Sequence, residues 1–342
     1  DPAALEERLA ALEEQVAEYL RFADGHPQRA RILDRIAAAE RMRAGLLLNR
    51  NDPKEGAAAL RRCITLYLDS GRPWCTADPG YLLARVLLAT EGPEAGRAAA
   101  ESALEHGGEL AEPLELGHLH LLLADLDLED DRIEEAIGHA LQAAYWFDTA
   151  GASSGPGAGA RLLLGKAYER AGRFAEAASV LESALPDLAD SAEAGGPHHE
   201  HEAVVARQVL GRCLRRLGEH RESAEQFLLA ADAVRHWENP EPQAVLASEA
   251  ATSLGEAGMA EEAERAYRRA VDLWRQVGDP VRLVRTLRAR AWITARTSLS
   301  TARALMEEAV GELTRALGST GSTGSAGSAG ERQAGDGTGG AD

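Results

Sequence analysis

Aromatic residues are scarce in this sequence: Phe, Trp and Tyr make up 4% of 342 residues, although apolar residues make up 45%. The hydrophobic content is therefore mainly Ala, Leu and Val, with Glu and Arg on the polar positions. Runs of Val, Ile, Thr and Tyr that would mark strands are missing, and Ala and Leu are strong helix formers, so the expected class is all-α. Cysteine is also sparse. Cys63, Cys75 and Cys213 are odd in number, far apart and without a CxxC pair, which excludes a disulfide framework and a cysteine zinc site. Reduced, mostly buried thiols are expected, and they suit the cytoplasm.

No apolar run reaches the ~18 residues of a membrane span; Leu82 to Ala89 is short and carries Arg85. The acidic, amphipathic start DPAALEERLAALEEQ is not a signal peptide. Catalytic signatures are lacking too: there is no GxSxG, no phosphate-binding glycine loop before Lys-Ser/Thr, no HExxH and no GxGxxG between strand and helix. The expectation is a protein that is not an enzyme and uses no cofactor. A net charge of −18 argues against nucleic acid, because counterion release needs a cationic footprint. The same charge favours solubility and basic partners. His198, His199, Glu200 and His201 are the densest set of potential metal ligands. Neighbours on an exposed loop seldom converge on one centre, so no metal is expected there. Glu115 and His118 share a helix face, but two ligands do not close a site.

What the sequence does contain is a repeat. Such a length means two domains or one elongated array. The clearest unit, ARLLLGKAYERAGRFAEAASVLESAL at 160–185, reads as two amphipathic helices joined at Ala171-Gly172-Arg173. Gly165, Ala177 and Ala184 lie 12 and then 7 residues apart in it, small side chains where two helices come close. The same spacing gives Ala44/Gly56/Cys63, Ala84/Gly96/Ala103, Ala124/Ala136/Ala143, Gly211/Ser223/Ala230 and Ala251/Ala263/Ala270. Arg290/Ala302/Ala309 breaks the rule at its first member. Larger residues form a second column, Leu47, Leu87, Tyr168, Leu214, Leu254 and Ile293, which Asp127 interrupts in the third unit. A third column, on the second helices, runs Leu60, Ala100, Ala140, Leu181, Phe227, Tyr267 and Met306. Gly172, Gly218 and Gly258 all fall at the helix turn.

The segments LLGKAYERAGRFAEAASVLESAL, VLGRCLRRLGEHRESAEQFLLA and AATSLGEAGMAEEAERAYRRA resemble the tetratricopeptide repeat (TPR) family. The resemblance covers about residues 30–315. Units are 39 to 46 residues apart, longer than the family's usual ~34, and the family's proline after the second helix is mostly missing, Pro186 being close to it. The resemblance implies a right-handed superhelical solenoid of about seven antiparallel helix pairs. Residues 1–29 are expected to hold an N-terminal capping helix, with Leu5, Leu9, Leu12, Val16 and Leu20 at helical spacing, and 30–317 the solenoid. AGASSGPGAG (150–159) and the loop 186–202 are candidate joints, and the Gly/Ser-rich stretch 318–342 is expected to be a disordered tail.

In this family the first helices line a concave groove. That mapping offers Lys166, Glu169 and Arg170 in the fourth unit and Gln208, Arg212, Arg215 and Arg216 in the fifth, with Lys166/Arg170 and Arg212/Arg216 as i,i+4 pairs. Such a basic stripe would seat carboxylates or phosphate. It differs from the family's carboxylate clamp, which sets asparagines beside its lysines; these helices have none. Tyr81, Arg85, Arg41, His118 and Asp125 extend the groove towards the N-terminus. The expected function is a cytoplasmic scaffold or adaptor that binds a partner protein or peptide, one carrying acidic groups, with no nucleic acid and no membrane. The chain opens on Asp1 rather than Met and resembles the repeat regions of bacterial regulators. A sensor or regulatory module of a larger signalling or transcription-regulatory protein is the alternative.

Overall fold

The computed structural model of the chain describes residues 2–23, 25–195 and 197–322. Fifteen α-helices and no strand occur among the described residues, and none of the helices is long and apolar enough to cross a membrane. A single helix, α1 (Pro2–Ala23), comes first. Seven pairs follow: α2 (Arg29–Asn49) with α3 (Pro53–Asp69), α4 (Ala77–Thr90) with α5 (Pro93–Gly107), and α6 (Pro113–Glu129) with α7 (Ile133–Thr149). Then come α8 (Pro156–Arg170) with α9 (Phe174–Gly195), α10 (Pro197–Leu217) with α11 (His220–Ala233), α12 (Glu241–Glu256) with α13 (Ala260–Val277), and α14 (Pro280–Thr294) with α15 (Leu299–Ser322). Short 3-10 turns precede α4, α6 and α12. The helix pairs are those of the sequence registers.

The small-residue column lies where the paired helices meet. Ala44, Ala84, Ala124, Ala136, Ala177, Ala251, Ala263 and Ala270 are wholly buried, and so is Ser223. Larger residues from the other two columns fill the space beside them, so Leu60, Leu181 and Phe227 are also fully buried. Burial of each such side chain contributes about 1.5–3 kcal/mol. A helix hairpin without neighbours could not bury both faces, which is why successive pairs stack: α3 packs on α4, α5 on α6, α7 on α8 and α13 on α14.

The turn between paired helices carries a left-handed residue in the first six pairs. A residue with positive φ stands at Asn51 (62°), Gly92 (103°), Asp131 (61°), Gly172 (75°), Gly218 (86°) and Gly258 (76°). After it, at each of these but Gly92, the chain reverses and the next N–H returns to a carbonyl five residues back. At Gly92, which Pro93 follows, the glycine's own N–H returns to Leu87 O at 3.0 Å. Arg173 N donates to Tyr168 O at 2.9 Å, Glu219 to Leu214 at 2.9 Å, Met259 to Leu254 at 2.9 Å and Arg132 to Asp127 at 2.8 Å. This satisfies carbonyls the helix end would leave orphaned. Asn and Asp enter the left-handed region more readily than other non-glycine residues, which explains Asn51 and Asp131 where sequence inspection found only glycines.

The chain divides into two compact units, Asp1–Cys213 and Leu214–Asp342, with the boundary inside α10. Neither 150–159 nor 186–202 marks that boundary. Residues 150–155 form a turn and Pro156 opens α8. Of the stretch 186–202, expected as a loop, residues 186–195 and 197–202 are instead helical backbone: α9 runs through Pro186 to Gly195 and α10 starts at Pro197. Pro186 inside α9 forgoes the i→i−4 hydrogen bond that its missing N–H would make and sets its ring against the carbonyl of Glu182. The 46-residue spacing therefore reflects longer helices. At the C-terminus α15 runs to Ser322, and the remainder of the expected tail lies outside the described residues.

Asp127, the apparent flaw in the second column, is buried and ion-paired. Its Oδ1 accepts from Arg97 Nη1 of α5 at 2.6 Å and lies 2.7 Å from Arg132 Nη2. Arg97 also reaches Asp130 at 2.8 Å. Cys63 and Cys213 are buried free thiols, pushed up to about 12 by burial, so they are inert at neutral pH.

Two glycines test the packing. A Cβ on Gly165 would stand 2.5 Å from Leu181 Cγ, whereas one on Gly159 meets nothing within 4 Å. Gly165→Leu is expected to destabilise the first unit by about 1–3 kcal/mol through overpacking. Gly159→Ala should be neutral or stabilise by about 0.5–1 kcal/mol through helix propensity. Denaturant unfolding compares them; equal midpoints for the two variants would show that close helix approach at Gly165 does not matter.

Candidate functional site: a cleft across four first helices

Four first helices of the first unit converge on one open cleft of about 420 Å³. Helix α4 supplies Tyr81 and Arg85; α6 supplies His118, Leu121, Leu122 and Asp125; α8 supplies Leu162, Leu163 and Lys166; α10 supplies His201, Glu202 and Val205. The periodicity explains the set. Tyr81, Leu121 and Leu162 stand three residues before the small column of their helices, and Arg85, Asp125 and Lys166 one residue after it. Positions four apart share a helix face, so each helix presents an apolar or aromatic residue with a charged one beside it.

The aromatic wall is layered. The His118 ring stacks on Tyr81 with centroids 5.1 Å apart and planes at 19°, and meets the edge of Phe147 at 5.2 Å. The Arg85 guanidinium lies 5.8 Å from the Tyr81 ring centroid, in range of a cation–π contact. Burial first, and then the Arg85 charge, hold the His118 imidazole below its ordinary pKa, so the ring is neutral at pH 7. Its buried Nδ1 has no hydrogen-bond partner among the described residues.

The cleft mixes signs. Arg85 and Lys166 face Asp125 and Glu202 around the apolar floor, and neither cation forms an ion pair among the described residues. The structure thus brings together Tyr81, Arg85 and Lys166 of the expected site, along with His118 and Asp125. It does not bring in the rest. Glu169 accepts from Arg212 in bidentate fashion at 2.5 and 2.8 Å. Arg170 turns to the α6–α7 turn, where it donates to Leu128 O and pairs with Asp131 at 2.6 Å. Arg215, in the second unit, pairs with Glu249 of α12 and stacks over Phe227. Gln208 is half-buried on α10 and Arg216 is exposed. Carboxylates of neighbouring elements thus pair with Arg170, Arg212 and Arg215 of the basic stripe. Arg41 is likewise engaged, in a fork with Asp78.

His201, Glu202 and Val205 were missed because α10 was placed in the groove by the register of shorter helices. With 21 residues against 15 in α8, its first turns reach the cleft. The side chains of His198 and His199 lie outside the described residues, and no group of three His, Cys, Asp or Glu among the described residues is placed to hold a metal ion.

A second titratable cluster lies on the other side of α6. His120 Nδ1 is 2.9 Å from His139 Nδ1, and His139 Nε2 is 3.8 Å from Asp127 Oδ2. Burial, then the His139 charge, pull His120 down to about 4; burial also lowers His139, against the opposing pull of Asp127.

No protein-family model and no curated protein matches the sequence. Solved structures do match. The fold is similar to that of the Signal Transduction ATPase with Numerous Domains (STAND) protein with a tetratricopeptide repeat sensor from Pyrococcus horikoshii, with a TM-score of 0.57 at 15% identity. That match covers 93% of this chain and 49% of the other, so the chain spans about half the length of that protein. RapI in its apo form matches with a TM-score of 0.55 at 11% identity, over 91% of this chain and 77% of that one.

The neutral histidine pair predicts an acid-sensitive fold. Unfolded His120 titrates near 6.5 and the folded residue near 4, so the unfolded state binds the extra proton between those values. Stability is fully present above about pH 6.5 and is lost as pH falls towards 4, by about 1 kcal/mol once solvent screening at a half-exposed ring is allowed for. His120→Gln should flatten the unfolding midpoint between pH 7 and 4.5; an unchanged slope would remove this pair as its source. At these identities the likeness to solved structures carries the fold, and the chain is an all-α protein of tetratricopeptide-type helical repeats.

Proposed function

We propose that the chain is a protein-interaction module, not an enzyme, and that it holds an extended segment of a partner protein in the cleft of α4, α6, α8 and α10. The observation that carries this reading is the convergence of Arg85 and Lys166, without ion pairs among the described residues, on an apolar floor walled by Tyr81 and His118. Preformed, mostly apolar clefts with a few fixed charges are the usual form of a recognition site. An apolar side chain of the partner would sit on Leu121, Leu122 and Leu162. Carboxylates beside it would meet Arg85 and Lys166, and a partner cation would meet Asp125 or Glu202. Of the expected site residues, Tyr81, Arg85 and Lys166 serve binding in this scheme. Glu169, Arg170, Arg212 and Arg215 serve contacts between repeats instead.

One observation favours the sensor reading as a second possibility. The chain is similar over 93% of its length to about half of a STAND protein whose name includes a tetratricopeptide repeat sensor. The two readings agree on the cleft and differ in what its occupation controls. Intact mass spectrometry of the protein from its own cell separates them: a mass of 36.4 kDa would sink the larger-protein reading.

The cleft is tested with a peptide array that varies net charge around one apolar anchor. Binding should favour acidic peptides and weaken with salt, since partly exposed charges are screened beyond ~8–10 Å. Arg85→Glu with Lys166→Glu should cost about tenfold or more in affinity, equivalent to about 1.4 kcal/mol. Arg212→Glu is a poor probe because it would set a second carboxylate against Glu169. Unchanged affinity in the Arg85/Lys166 double variant would overturn the cleft as the binding site.

A further inference from the structure

The last repeat leaves open a face that every earlier repeat covers. The third column shows it most clearly. Leu60, Ala100, Ala140, Leu181 and Phe227 are 0% exposed and Tyr267 is 5% exposed, yet Met306 at the same position of α15 is 42% exposed. Trp292 on α14 behaves the same way. Its counterparts Leu126, Ala167, Cys213 and Ser253 are buried and Leu46 and Val86 are half-buried, whereas Trp292 is 80% exposed. Around these two lies an open groove of about 690 Å³ lined by Arg285, Arg288, Leu299 and Arg303 as well. The face is thus built as a repeat-to-repeat face with no next repeat on it among the described residues. Its apolar extent continues along α15 through Val310 and Leu313, both exposed.

The chain's own C-terminal stretch is not a fitting cover. Residues 323–342, TGSAGSAGERQAGDGTGGAD, contain no Val, Ile, Leu, Met or aromatic residue, so they cannot supply an amphipathic helix. The groove is basic on a chain of net charge −18. Arg285 and Arg288 are exposed, three residues apart on α14, and form no ion pair among the described residues; Arg303 reaches only Glu307 on its own helix. The fitting occupant is therefore a helix with small residues and carboxylates on its free face. Helix α1 has that face. It buries Leu9, Val16 and Ala23 inward, while Glu7, Glu14 and Glu18, at i, i+7 and i+11, point outward without ion pairs among the described residues. Between them Ala10, Ala11 and Ala17 are exposed, which permits close approach, and Phe22 is 60% exposed at the helix end.

We propose that the open face of α14 and α15 receives α1 of a second copy of this chain. Trp292 and Met306 pack on the alanine surface of α1, and Arg285 and Arg288 meet Glu14 and Glu18. Trp and Arg are the residues that most often dominate such contacts. Because the two surfaces differ, the contact is head-to-tail, and each copy keeps one face of each kind for further copies.

The test is the molar mass of the purified chain by light scattering and sedimentation across concentration. Mass should rise past that of a dimer with concentration and fall with added salt. Trp292→Glu, at a site too exposed to affect folding, should raise the concentration of half-association by about tenfold or more. Arg285→Glu with Arg288→Glu in one variant, and Glu14→Arg with Glu18→Arg in another, should each be monomeric alone and associate when mixed, since both contacts then become complementary. Mixing that restores association supports the proposal. A wild-type mass that stays monomeric at every concentration overturns it. So does association that stops at two copies and is kept by the Glu14/Glu18 variant, which would name a different occupant.

Discussion

Two helices can pack at short distance only where neither carries a large side chain, and this one steric condition organises the chain. It places Ala, Gly or Ser at matched positions of the first six pairs, such as Gly165 with Ala177 or Ala251 with Ala263, all buried. Once those positions are set, the helical period decides everything around them. Residues seven after the first small position fall at the turn, where Asn51, Asp131, Gly172, Gly218 and Gly258 take positive φ. Residues three before and one after it fall on the open face of the first helix, and there the cleft is built. Packing, turn and recognition surface are thus three readings of one register.

The second constraint is charge. Many arginines are spent between helices: Arg97 on Asp127 and Asp130, Arg212 on Glu169, Arg215 on Glu249, Arg282 on Glu241 and Arg290 on Glu264. Most of these pairs are partly exposed, so each adds little to stability by itself. The Arg97–Asp127 pair differs because Asp127 is buried; removing one partner there would strand a charge out of water. These pairs also consume the cations that spacing along one helix would assign to a ligand. Among the cations that the neighbours do not neutralise are Arg85 and Lys166 in the first unit and Arg285 and Arg288 in the second, each of which lines an open groove.

How far the sequence reveals this depends on the range of the interaction. The seven helix pairs and their turns were legible because each is set by residues within about one repeat. Tyr81, Arg85 and Lys166 were legible for the same reason, being fixed offsets from Ala84 and Gly165. The partners of Arg170, Arg212 and Arg215 were not. Each partner lies on another repeat, 34 to 43 residues away, and which carboxylate stands opposite depends on how the repeats stack. The reach of His201 and Val205 into the cleft was hidden for a related reason. A Gly- and His-containing stretch with a proline reads as a loop, and only packing against a neighbour lets it continue as helix. Asp127 read as an error in the column because its compensation, Arg97, belongs to the preceding unit.

Departures from a repeat therefore carry more information than its regular positions. At Asp127 the departure has an internal answer, a buried ion pair, and it is structural. At Arg290 the small column ends, and the guanidinium is satisfied by Glu264 at 2.7 Å, again internally. Trp292 and Met306 differ in kind: side chains of the type that neighbours bury elsewhere stand exposed, beside arginines without a carboxylate across from them. An internal repeat resolves each irregularity against its two neighbours. The terminal repeat has one neighbour among the described residues, and there Trp292 and Met306 are left exposed. The same logic separates the cleft from the rest of the first helices: it begins where the inter-repeat ion pairs stop.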